Sequence, residues 1–157
     1  MKYKSDLIEY LGISKKVPKD IKTFREVIIQ KDICIEDKHP SIDYIVSFMA
    51  EVVIEDYRII TTPRAVSIGG DILTGFQINV DGYVKEILEY APENSNRYVT
   101  IIEFIMPFTT SVVMPENFRK DVDIEFKSYI MDMNVKKIEE KRIFKCINFI
   151  LNAECYF

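Results

Sequence analysis

Between Ile60 and Tyr90 the chain reads ITTPRAVSIGGDILTGFQINVDGYVKEILEY, a run of β-type segments separated by backbone punctuation. Phe76, Ile78 and Val80 alternate with Gln77, Asn79 and Asp81, the period of two of a half-buried strand. Pro63 marks a turn. Gly69-Gly70-Asp71 supplies the positive φ or close backbone approach that a tight reversal needs. Leu73-Thr74-Gly75 marks a further bend, and Asp81-Gly82 between two strand-like runs is a hairpin signal. The stretch holds no His and no Cys. It specifies a shape rather than a reaction.

The same period recurs along most of the chain. Val27, Ile29, Ile33 and Ile35 share one face of a first strand. Val46, Phe48, Ala50, Val52 and Ile54 share a face of a second, which Glu55-Asp56 turns into Tyr57–Thr62. Ser41–Ile45 reads as one helical turn after the break at His39-Pro40. Tyr98–Met106 and Phe108–Met114 are separated by Pro107, which implies an edge position or a kink. Val122, Ile124, Phe126 and Ile130 alternate with acidic and basic residues, and Lys136–Lys141 reads as a charged connection. The last strand runs from Arg142, with Ile143, Ile147, Phe149, Leu151, Ala153, Cys155 and Phe157 on one face. This pattern predicts an all-β fold, a mainly antiparallel β-sandwich or flattened barrel of about nine or ten strands.

Residues 1–22 stand apart as an N-terminal helix and linker ahead of a β domain over 23–157. Ser5 caps a short helix over Asp6–Leu11, Gly12 ends it, and Leu7, Ile8 and Leu11 form its apolar side. A helix this short needs a docking surface, on its own domain or on a neighbouring subunit. Leu7, Ile8 and Leu11 are therefore candidate interface residues, with the Pro92–Asn96 loop and the 121–130 strand.

A chain of 157 residues suits one domain, and 48% hydrophobic content is ample for its core. The net charge of −4 gives no electrostatic support for nucleic-acid binding. No apolar run reaches the ~20 residues of a membrane-spanning helix, and MKYKSDLIEYLG lacks the apolar core of a secretory leader. The expectation is synthesis in the cytoplasm.

Reactive side chains are scarce. His39 is the one histidine and precedes Pro40, with no nucleophile placed beside it by the sequence. Cys34, Cys146 and Cys155 have no metal-ligand spacing, and Gly69-Gly70 is no phosphate loop. Asp121, Asp123 and Glu125 alternate as on a solvated strand face. The expectation is a non-enzyme without cofactor or metal. By strand parity Cys155 faces the core, whereas Cys34, and after it Cys146, are candidates for intermolecular disulfides.

Taken in order, several short motifs carry a resemblance. Thr62, Pro63, Ser67, Gly70, Leu73, Thr74, Gly75, Asp81, Gly82 and Tyr90 follow one spacing. Pro107-Phe108, Met114-Pro115, Tyr129-Ile130-Met131-Asp132-Met133 and Arg142-Ile143-Phe144-Lys145 follow in order. This set resembles the SPOCS domain of spore-coat assembly proteins in endospore-forming bacteria, over residues 24–157. His39-Pro40-Ser41-Ile42-Asp43 departs from the family's Pro-acidic pair, and no sequence remains for the peptidoglycan-binding-type module of several members. The resemblance implies a structural protein of the spore coat or exosporium, made in the mother cell, that associates with itself and with other spore-envelope proteins. A monomeric adaptor or small-ligand-binding β-domain that recruits coat components is the alternative.

Overall fold

Alternating apolar side chains give each strand one face to bury, and two such sheets stacked face to face satisfy the whole chain. A computed structural model describes residues 7–93 and 98–156. It has seven strands: β1 (Glu9–Leu11), β2 (Phe24–Cys34), β3 (Ile42–Val66), β4 (Ile72–Pro92), β5 (Thr100–Val113), β6 (Asp123–Glu139) and β7 (Arg142–Tyr156). One sheet has the order β1-β3-β4-β5 and the other β2-β7-β6. All pairings are antiparallel except β1 with β3, which is parallel. The all-β, mainly antiparallel expectation holds. Neither sheet closes into a barrel.

The core lies between β4 and β7. Ile78, Val80, Val84, Leu88 and Tyr90 face inward from β4, and Ile143, Ile147, Phe149, Leu151 and Ala153 from β7. Rings meet across the sheets: Phe108 packs edge-on against Phe149 with centroids 5.2 Å apart. The Tyr90 hydroxyl donates to the Pro40 carbonyl at 2.7 Å, so this buried ring keeps a polar partner.

Seven strands replace nine or ten because four expected breaks are absent. Asp81-Gly82 is not a hairpin. It lies in the middle of β4, where Gly82 pairs with Ile54 of β3 and Phe108 of β5. Glu55-Asp56 is not a turn either. A register shift between Ile54 and Asp56 accommodates Glu55 as a bulge on the strand opposite Asp81-Gly82. Pro107 sits within β5, the edge strand of its sheet, which is the position a residue without an N–H tolerates. Pro63 marks a second bulge, between Thr61 and Arg64, rather than a turn. The charged run after Asp132 continues β6 as far as Glu139. Ile42 opens β3 directly, so the helical turn over Ser41–Ile45 does not form.

The β3–β4 reversal is at Ser67–Asp71. The Ser67 N–H donates to the Asp71 carbonyl at 2.8 Å, the Gly70 N–H donates to the Ser67 carbonyl at 3.0 Å, and Gly70 has φ +88°. Gly75 has φ +113° beside the Pro63 bulge.

No helix occurs among the described residues. Where the short helix was expected, Glu9–Leu11 form β1 on Ser47–Met49. Ser5 and Asp6 lie outside the described residues. The strand is secured on its other side by β6: the Tyr10 hydroxyl accepts from the Val135 N–H at 3.1 Å, and the Ser14 N–H donates to the Ile130 carbonyl at 2.9 Å. The N-terminal segment thus spans the gap between the β3 and β6 edges. Arg25 ties the opposite edges. Its Nε donates to the Ser111 carbonyl at 2.7 Å, and its guanidinium pairs with Asp71 at 3.1 Å.

Candidate functional site

Glu86 and Lys145 break the apolar rule of the core. Parity places Glu86 on the inward face of β4 between Val84 and Leu88, and Lys145 on the inward face of β7 between Ile143 and Ile147. Their side chains are 0% and 1% exposed. The Lys145 ammonium donates to Glu86 Oε2, which joins the two sheets by an ion pair. Phe104, paired with Glu86 across the β4–β5 ladder, presents its ring 4.1 Å from Lys145 Nζ. Glu86 Oε1 is buried and has no hydrogen-bond partner among the described residues.

Burial penalises both charges. It pushes the Glu86 carboxyl above its usual range, against the hydrogen bond and charge of Lys145. It pushes the Lys145 ammonium below its usual range, against the hydrogen bond and charge of Glu86, and the nearby Lys31 charge acts in the same direction as burial. Both shifts favour sharing or transfer of the proton between the two groups. An amine and a carboxyl held in contact in an apolar core, beneath an aromatic face, can act as an ion pair or as reactants.

The expected site residues are spread over the surface. Cys34 is exposed on β2 opposite Arg142, and Cys146 is half-buried with Gln30 Nε2 3.7 Å from its sulfur. The two thiols occupy different rungs of the β2–β7 ladder, four residues apart, so neither closes on the other. Cys155 is half-buried against the core, and burial pushes its thiol pKa up. His39 lines an open cleft of about 390 Å3 with Cys34, Glu36 and Ile101–Phe104. Leu7 and Leu11 are exposed, and Ile8 packs partly against the core. Of the Pro92–Asn96 loop, Pro92 ends β4, and residues 94–96 lie outside the described residues. Asp81 is half-buried and accepts from the Thr109 hydroxyl at 2.8 Å. No group of three metal-ligating side chains gathers among the described residues. No helix of the described residues is long and apolar enough to cross a membrane.

Large apolar side chains also remain in solvent. Val66, Ile68 and Ile72 at the β3–β4 tip are 68%, 110% and 73% exposed, and Ile101 and Ile105 are exposed on the outer face of β5. The tip is the stretch whose punctuation dominates the sequence.

Sequence reasoning missed Glu86 and Lys145. The available signal was the interruption of two apolar stripes, Val84–Leu88 and Ile143–Ile147, by a charge of opposite sign in each. Comparison with known protein families, characterised proteins and solved structures finds no match.

Proposed function

We propose that this protein is a non-catalytic structural subunit of a bacterial spore coat or exosporium, acting through self-association and contacts with other spore-envelope proteins. The observation that carries the reading is the exposed apolar tip of the β3–β4 hairpin, Val66, Ile68 and Ile72, on a two-sheet body. Apolar groups gathered in solvent favour contact with another surface. The ordered motif set resembling the SPOCS domain supports the spore envelope as the setting. On this reading the protein is made in the mother-cell cytoplasm and ends at the coat or exosporium surface. Cys34 and Cys146, both on the outer face of β2 and β7, then cross-link copies once the reducing cytosol is lost. Non-reducing gels of assembled material test that element: reductant-sensitive multimers are expected, and unchanged mobility contradicts it.

A second reading, a monomeric adaptor that binds a small ligand while recruiting coat components, draws on an open cleft of about 540 Å3. It is lined by Pro18, Asp20–Thr23, Pro115 and the end of β7. A fluorescent fusion followed through sporulation tests the proposed setting. Signal collecting around the forespore is expected. Diffuse signal throughout, with none at the forespore, overturns it.

A further inference from the structure

We propose that Lys145 and Glu86 condense into an intramolecular isopeptide bond that covalently joins the two sheets of the sandwich. The inference is independent of the spore-envelope reading, because it rests on the contents of the core alone.

Four observations converge on this pair. The amine and the carboxyl are already in hydrogen-bond contact. Both side chains are shut away from water, at 1% and 0% exposure, so bulk solvent does not compete for the carboxyl carbon. Burial drives the pair toward the neutral amine and the neutral carboxylic acid, the forms that react. Glu86 Oε1 has no hydrogen-bond partner among the described residues, so no protein donor holds the carboxylate in its charged form through that oxygen.

The step balances without any outside reagent. The ammonium of Lys145 passes one proton to the Glu86 carboxylate. The Nζ lone pair then attacks Cδ of the resulting acid, forming the C–N bond and a tetrahedral centre. Positive charge develops on nitrogen at this point, and the face of the Phe104 ring, 4.1 Å from Nζ, stabilises it. One N–H proton moves to the carbinol oxygen, the C–O bond breaks, and water leaves. The product is a secondary amide, neutral in a neutral core, so the burial penalty of two charges is removed. The bond closes a loop of about 60 residues, which restricts the unfolded chain as a disulfide of that span does.

The test is the intact mass of the purified full chain, followed by fragment mapping. The expected wild-type mass is the sequence mass less one water. A branched fragment should join the peptide containing Glu86 to the peptide containing Lys145. The double variant Glu86→Leu/Lys145→Met, whose apolar side chains suit the same core, should show its full sequence mass while folded by circular dichroism. A folded wild-type chain of full sequence mass overturns the proposal. So does a lost water that maps to Asp81-Gly82, where backbone cyclisation gives the same mass.

Discussion

Gly82 shows how a single residue can be misread when its reach is seen only along the chain. Beside Asp81 it reads as a turn, yet its hydrogen faces the backbone of the neighbouring strand. A Cβ there would lie 2.4 Å from the Val53 carbonyl oxygen and 3.0 Å from Phe108 Cζ. The backbone atom cannot yield without disturbing the β3–β4 ladder. Gly82→Ala is therefore expected to destabilise the protein by about 1–3 kcal/mol through overpacking. Gly70→Ala meets no atom within 4 Å and is strained only by its φ of +88°, at a cost of about 1–2 kcal/mol. Denaturant titration of both checks the pair. The Gly82 variant should not regain stability when Phe108 is also reduced to Leu, because the contact with the Val53 carbonyl oxygen remains. The Glu86–Lys145 pair obeys a related logic of mutual dependence. Either Glu86→Leu or Lys145→Met alone leaves one buried charge without its partner, and the apolar double variant leaves none. The double variant should exceed each single variant in stability by about 3 kcal/mol, and a double no more stable than the singles contradicts that reading of the core.

At the scale of elements, much of the fold is legible in local period. Alternation over 121–130 and from Arg142 onward locates β6 and β7, and the Gly69-Gly70-Asp71 reversal is where the sequence puts it. Strand continuity was not legible. Glu55-Asp56 and Asp81-Gly82 each look like turns, but they face one another across a single ladder, and together they make a bulge. Local sequence cannot show that two irregularities are partners in space. The N-terminal segment was misread for a different reason. Leu7, Ile8 and Leu11 fit one side of a helix, but Glu9–Leu11 has unpaired backbone on β3 and β6 available to it, and pairing there outweighs so short a helix. Tyr10 is the anchor: its hydroxyl receives the Val135 N–H, the backbone donor of a buried residue. Tyr10→Phe should cost about 1–3 kcal/mol by leaving that donor unsatisfied. Hydrogen exchange should accelerate at Val135 while Ile147, in the next strand, stays protected. Equal acceleration at both would place the role of Tyr10 elsewhere.

Across the whole molecule the two sheets are joined at their centre by Glu86 and Lys145 and clasped at their edges, and polar ladders add to this on the outer faces. One ladder carries a pH signature. Glu154 accepts hydrogen bonds from the Tyr156 hydroxyl and pairs with Lys127, and these hold its carboxyl below the usual value of 4.5. The folded state thus binds this proton more weakly than the unfolded chain. The stabilisation is fully present above pH 4.5 and is lost as pH falls through the lowered folded value. Thermal melts of Glu154→Gln should therefore lose less between neutral pH and pH 3 than wild type, and parallel losses would rule out this contribution. The candidate site was far less legible than the fold, because Glu86 and Lys145 are 59 positions apart and each looks like an ordinary surface charge until the sheets are stacked. The turn-rich stretch, by contrast, turned out to carry the exposed tip on which the functional reading rests. Sedimentation of the purified full chain over rising concentration, with electron microscopy of the product, tests that reading most directly. Concentration-dependent growth into ordered assemblies, abolished when Ile68 is replaced by Lys in a chain that remains folded, is the predicted result. A strict monomer at every concentration, or assembly indifferent to Ile68→Lys, would contradict it.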